Sequence, residues 1–163
     1  MRDFAVRLAS AADISAVDAL LARAYPRLLK PDYRPSVLVT ALPLISRAQP
    51  RLITCGSYFV AEAADGAILG AGGWTPRSRA SDIGNVRHLV TDDRHLRRGI
   101  ARAILEVSHE QAVAQGVKLM NCDATITAEP FYTAMGYERS GEIAIALRPG
   151  IVFPAVRMIR RMS

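Results

Sequence analysis

The sequence predicts one α+β domain: a mostly antiparallel mixed sheet of about seven strands flanked by four helices, in α/β/α layers. Three observations predict it. A length of 163 residues suits a single domain, here spanning 1–163, with enough chain to bury a core without staples. From residue 57 onward, short β-type runs alternate with turn signals. Between 83 and 122 a strand–helix–strand order demands one parallel crossover inside the sheet.

The elements follow in order. Ala5-Val6-Arg7-Leu8 is a short strand, after which Asp13 can cap a helix with apolar positions Ile14, Val17, Leu20, Leu21 and Ala24 at helical spacing. Pro26 should end or bend it near Tyr25. A second helix begins at Pro35, kinks or splits at Pro43 and closes at Pro50. Residues 57–62 form a strand, Asp65-Gly66 a hairpin turn, and 67–74 the return strand. The glycines of that return strand either admit a close neighbour or mark a bulge. Another strand covers 83–91. A helix over 99–115 buries Ile100, Ala103, Ile104, Val107 and Gln111 and stops at Gly116. A strand at 117–122 and a short helix capped by Thr127 come next. Two closing strands, 142–147 and 151–160, turn at Pro149-Gly150.

Composition narrows the function. No apolar run approaches the roughly 20 residues of a membrane span, and Met1-Arg2-Asp3-Phe4 lacks the apolar block of a signal peptide, so a cytoplasmic protein with no membrane partner is expected. Cys55 and Cys122 have no metal-ligand spacing, and His88, His95 and His109 do not cluster with them; no metal is expected, and both thiols should be reduced and buried. The net charge is +6 and the pI near 9.9. The arginines are nevertheless dispersed and not interleaved with aromatic residues, which argues against a nucleic-acid partner and for small anionic ligands.

One segment carries chemistry. In Val86-Arg87-His88-Leu89-Val90-Thr91-Asp92-Asp93-Arg94-His95-Leu96-Arg97-Arg98-Gly99-Ile100-Ala101, a strand enters a basic turn that opens into a helix. The first helical N–H groups have no internal partners, and the macrodipole makes that end positive, so a pyrophosphate could rest on amides beside Gly99 and Ala101. Further on stands Ala128-Glu129-Pro130-Phe131-Tyr132-Thr133-Ala134-Met135-Gly136-Tyr137.

Together these segments resemble the GNAT N-acetyltransferase superfamily. Its pyrophosphate motif, Gln/Arg-x-x-Gly-x-Gly/Ala, is matched at Gly99 and Ala101 but carries Leu96 in place of Gln/Arg. Its later motif, Ala-x-x-Phe-Tyr-x-x-x-Gly-Phe/Tyr, is matched throughout. The resemblance covers about residues 56–147. It implies an enzyme that transfers the acetyl group of acetyl-CoA to a primary amine of a small molecule or peptide. Leu89, Val90 and Thr91 would bond the pantetheine arm through their backbones, in a splay against strand 117–122. Arg97, Arg98, Gly99, Ile100, Ala101 and Arg102 would hold the pyrophosphate. Tyr132 would protonate the departing thiolate, as a phenol of ordinary pKa near 10 can; core packing against Phe131 is the other reading of the same residue.

The remaining assignments stay open. His88 is a base or a core histidine, with Asn85, Arg87, Leu89 and Thr91 expected on one strand face and Val86, His88 and Val90 on the other. Thr125 and Thr127 stand where relatives place a pantetheine-contacting asparagine, or serve as caps. Arg77, Arg79 and Arg87 line the acceptor mouth or are merely solvated. The alternative to an enzyme is a non-catalytic acyl-CoA-binding or sensing module. Edge strands near the C-terminus make a homodimer a further expectation.

Overall fold

Seven segments, some alternating apolar and polar side chains and two of them (58–63 and 68–76) nearly continuous apolar runs, form strands, and a computed structural model, which describes residues 3–163, joins them into one sheet. Met1 and Arg2, part of the stretch read above for a signal peptide, lie outside the described residues. The strands are β1 (Phe4–Leu8), β2 (Tyr58–Ala63), β3 (Ile68–Pro76), β4 (Ile83–Thr91), β5 (Leu119–Ala124), β6 (Glu138–Arg148) and β7 (Ile151–Arg161). Their order is β1-β2-β3-β4-β5-β7-β6. Only β4 and β5 run parallel, joined by the expected crossover helix; every other neighbour pair is antiparallel.

The helices are α1 (Ile14–Leu29), α2 (Pro35–Ile45), α3 (Pro50–Ile53), α4 (Ile100–Ala114) and α5 (Glu129–Ala134). The single turn α3 is the addition to the four expected. At two prolines the helix is neither ended nor split. Pro26 and Pro43 lie inside α1 and α2, which run past them. Each leaves the carbonyl four residues earlier without its N–H, but those residues, Ala22 and Val39, are exposed, so water can replace the missing donor. Beyond Pro26, burial of Leu29 against Tyr33, Leu38 and Phe153 holds the last turn down. Pro50 opens α3 as its first residue instead of closing α2.

Capping also differs. Ser10 caps a 3-10 turn at Ala11–Asp13, and Asp13 returns its carboxylate to the Ser10 N–H at 2.8 Å while Arg7 grips it at 2.8 and 2.9 Å. Thr125, not Thr127, caps the turn before α5, accepting from the Ala128 N–H at 3.2 Å. The Thr127 hydroxyl is buried and has no hydrogen-bond partner among the described residues.

Helices cover both sheet faces. On one, α4 and α5 bury Trp74, Leu105, Met120, Cys122, Tyr132 and Met158, and the Trp74 indole N–H donates to Gln111 Oε1 at 2.8 Å. On the other, α1 buries Val17, Leu20 and Leu21 against Tyr58, Val60, Ala71 and Val90. The buried face of α4 is displaced from the predicted stripe: Ile100, Ala103 and Ile104 are buried as expected, Val107 and Gln111 only partly, and Leu105, Ser108, His109 and Ala112 join them. Cys122 is buried as expected, but Cys55 is exposed, on the loop before β2. No helix among the described residues is long and apolar enough to cross a membrane.

The glycines of β3 permit close backbone approach. A Cβ on Gly73 would stand 2.1 Å from the Ser57 carbonyl oxygen and 2.7 Å from Tyr58 Cα. A Cβ on Gly72 would stand 2.5 Å from Leu89 Cδ1 and 2.9 Å from Leu89 Cα. β2 and β4 therefore press on this segment from both sides.

Candidate functional site

β4 and β5 begin as a ladder and then part. Their register runs only through Ile83↔Leu119, Gly84↔Met120 and Asn85↔Asn121. Beyond it β4 continues to Thr91 and β5 to Ala124 without pairing to each other, which leaves a wedge between them. Leu89, Val90 and Thr91 all lie on the β4 side of that wedge. On its other edge β4 pairs with β3, Val90 opposite Ala71 and Arg87 opposite Gly73. Gly72 therefore faces two residues, His88 and Leu89, and His88 takes φ 44° to accommodate the extra one.

This bulge overturns the simple alternation expected for β4. Val86 and Leu89 both pack on the α4 side, and Val90 packs on the α1 side. The extra residue shifts the parity by one, so Leu89 parts company with Arg87. The Tyr58 hydroxyl donates to the His88 carbonyl at 2.9 Å and pins the bulge. Burial, and secondarily the Arg87 charge, lower the His88 imidazole to about 4, so it is neutral at neutral pH.

The turn after β4 is built around Asp92. Its carboxylate is nearly inaccessible (2% exposed). It accepts from the Arg94 N–H at 2.9 Å, from the Arg94 guanidinium at 3.2 and 3.3 Å, and from Arg23 of α1. Burial opposes ionisation, but these donors outweigh it and hold Asp92 at about 2. Asp93 takes Arg23 and Arg27 at 3.4 and 3.6 Å. Both aspartates are thus structural, anchoring the turn to α1.

The turn then enters α4 through two left-handed residues, Arg97 at φ 62° and Gly99 at φ 78°. Gly99 occupies the N-cap position, and a Cβ there would meet nothing within 4 Å. The first N–H past it with a backbone acceptor among the described residues is that of Ala103, donating to the Gly99 carbonyl at 3.0 Å. The amides of Ile100, Ala101 and Arg102 point out of the helix end, the expected anion cradle. The side chains around it are only partly free. Arg98 is taken up by Asp3 and His95, and Arg102 lies 3.8 Å from Glu106. Arg97 has no ion-pair partner among the described residues. Leu96, where the motif carries Gln/Arg, is exposed.

Tyr132, on α5, is buried in the core cluster that holds Cys122 of β5. It shares a hydrogen bond with the thiol of Cys122, the residue that follows the last β5 position paired with β4. Its ring packs edge-on against Phe131 and Tyr137 at centroid distances of 5.2 and 5.3 Å. Burial first, then the Cys122 thiol, push the phenol well above the ordinary value anticipated from sequence. Burial also pushes Cys122 up to about 12. A thiol held protonated in this way is a poor nucleophile.

Behind Tyr137 stands His109 of α4. Arg160 donates to its Nδ1 at 2.9 Å, which leaves the proton on Nε2, 2.6 Å from the Tyr137 hydroxyl. Burial, then Arg160, lower this histidine to about 4. Because the folded value lies below the unfolded value near 6.5, the unfolded chain binds the extra proton. The stabilising contribution is therefore complete above pH 6.5 and is lost as pH falls toward 4, amounting to about 3 kcal/mol there. Denaturation of His109→Gln, which can still accept from Arg160 and donate to Tyr137, should show a shallower loss of stability over pH 6.5 to 4. An unchanged slope would mean that His109 does not titrate on unfolding.

Of the sequence-predicted residues, Leu89, Val90 and Thr91 lie on β4 beyond its last pairing with β5, the 97–102 turn leads into α4, and Tyr132 is buried in the core that also holds Cys122 of β5. It ties Glu129 to Arg139 at 3.6 Å. Sequence reasoning missed the Asp92–Arg23 clamp and the Arg160–His109–Tyr137 chain, whose members lie 69, 51 and 28 residues apart and share no local pattern. Among the described residues no group of three or more His, Cys, Asp or Glu side chains could hold a metal.

Comparison with known proteins bears on the family and the fold. A family model described as an acetyltransferase (GNAT) domain matches residues 30–157. No curated protein sequence matches. Among solved structures, the chain is similar to a GCN5-related N-acetyltransferase from Rhodopseudomonas palustris, at 15% identity and TM-score 0.83, over 99% of this chain and 98% of that one. It is also similar to PaiA N-acetyltransferase from Thermoplasma acidophilum in complex with coenzyme A, at 10% identity and TM-score 0.75, over 98% and 99% of the two chains. Ard1 from Thermoplasma volcanium follows at 16% identity and TM-score 0.69, covering 99% of each.

Proposed function

The chain belongs to the GNAT acetyltransferase family, and from that premise we propose that it transfers the acetyl group of acetyl-CoA to a primary amine of a small molecule or peptide. The observation that carries this reading is the wedge: β4 backbone that β5 leaves unpaired on one wall, followed along the chain by a helix N-terminus with outward amides, with the buried phenol of Tyr132 packed beside Cys122 of β5. The residues fit the cosubstrate. Leu89, Val90 and Thr91 offer backbone groups to a pantetheine amide chain, in place of the β5 strand that is missing there. The Thr127 hydroxyl, buried without a partner, is a further polar group that a ligand could satisfy. The amides from Arg97 to Arg102 would cradle the pyrophosphate, with Arg97 adding charge.

Bound acetyl-CoA supplies the activated acyl group and a thiolate leaving group. The chain's residues do the rest. The β4 wall orients the thioester, and closure by α4 and α5 limits water around it. As the amine nitrogen bonds to the acyl carbon, the C–S pair passes to sulfur, and Tyr132 gives its hydroxyl proton to that sulfur; burial makes it a weaker acid than the ordinary phenol expected, so solvent returns the proton to the phenolate. The ammonium proton leaves to solvent; His88, lowered to about 4, is too weak a base to hold it.

A thermal-shift titration with acetyl-CoA, followed by an amine panel read by thiol release, tests the proposal. Saturable stabilisation that scales with concentration, together with amine-dependent CoA release, is expected. Stabilisation without release on any amine would favour the binding or sensing module. No stabilisation would overturn the reading.

A further inference from the structure

We infer that the acceptor amine carries a carboxylate a few bonds away, and that Arg87 receives it; this rests on the N-acetyltransferase reading above. Arg87 directly precedes the β4 bulge. Its neighbour Val86 packs on the α4 side, so Arg87 projects toward the opposite, α1 side of the sheet. Gly73 is its cross-strand partner and presents no side chain there. Its one hydrogen bond is a long one, 3.4 Å to the Thr75 hydroxyl.

The charge of Arg87 is uncompensated. Ion pairs among the described residues engage Arg7, Arg23, Arg27, Arg94, Arg98, Arg102, Arg139 and Arg157, and none engages Arg87. Yet Arg87 is half-buried, where a guanidinium favours an anionic partner. His88 beside it is neutral and is lowered further by the Arg87 charge. On the same face of β5, Asp123 is held by Arg157 at 3.0 and 3.4 Å. Asn85 and Asn121 stand opposite each other on that face at the last paired position before the strands part. Their amides can serve the second carboxylate oxygen.

Position sets the ligand's length. The thioester is expected against Leu89 and Val90, about two residues along the strand from Arg87, roughly 7 Å at the usual rise. That spacing suits an α- or β-amino carboxylate better than a long ω-amino acid.

The test is calorimetric titration of CoA-loaded protein with alanine, leucine and β-alanine beside their carboxamides. The carboxylates should bind at least about tenfold tighter, as loss of a charged hydrogen-bonded pair implies. Arg87→Gln should abolish the difference while leaving the acetyl-CoA affinity unchanged, and Arg87→Lys should retain part of it. Equal binding of acids and amides, a preference that survives in Arg87→Gln, or no binding by either series would each overturn the inference and leave the cofactor reading standing. Failure of the wild-type protein to bind acetyl-CoA would overturn both.

Discussion

Gly73→Ala is expected to lower the unfolding free energy by about 3 kcal/mol or more. The new methyl would lie 2.1 Å from the Ser57 carbonyl oxygen and 2.7 Å from Tyr58 Cα. Both are backbone atoms of the segment leading into β2, so no side-chain rotation relieves the clash. Only separation of β2 from β3 can do so. That separation would also disturb the Trp74 N–H to Ser57 carbonyl bond of 3.0 Å and the seat of Tyr58. Gly141→Ala is the control, because its Cβ would meet nothing within 4 Å and its φ is not left-handed. Urea midpoints should place Gly73→Ala far below both wild type and Gly141→Ala. Coincident midpoints for the two variants would refute the close approach of β2 to β3.

Tyr132→Phe should reduce kcat by roughly 10²-fold, the scale of a general-acid contribution, with the acetyl-CoA affinity little changed. Phenylalanine keeps the edge-on contacts with Phe131 and Tyr137 and loses only the hydroxyl that meets Cys122. Single-turnover kinetics read the effect on chemistry, and equilibrium binding reads the affinity. The elevated phenol carries a second consequence. Since the burial that raises it keeps Tyr132 protonated, no loss of activity from its ionisation should occur below pH 10. Undiminished turnover in the variant would remove Tyr132 from the chemistry and leave it a core residue.

Much of this was legible in the sequence because it is written locally. The turn glycines at 66, 99, 116 and 150 all adopt left-handed φ, and the apolar periodicity of α1 and α4 falls on buried positions except at Ile14, Val107 and Gln111, which are half-buried. The glycine-to-helix entry at Gly99 also follows from neighbouring residues. What escaped is non-local. The faces of β4 could not be assigned from alternation, since the bulge at His88 depends on Gly72 of another strand. The prolines at 26 and 43 left two outcomes open for a related reason: whether a helix survives one depends on whether the orphaned carbonyl sees water, which is a tertiary property. The elevated phenol of Tyr132 likewise comes from burial among Cys122 of β5, Tyr25 of α1 and Tyr137, which directly precedes β6.

The clamp at Asp92 has a consequence for how fast and how stiffly the turn engages an anion. Unfastening two guanidinium groups from an almost inaccessible carboxylate would cost several kcal/mol, so the loop keeps its shape while empty. Amide hydrogen exchange at Arg94 and His95, whose N–H groups bond to Asp92, should accordingly be slow even without nucleotide. Association should proceed at the encounter-limited pace of a rigid receptor, with no lag for loop rearrangement.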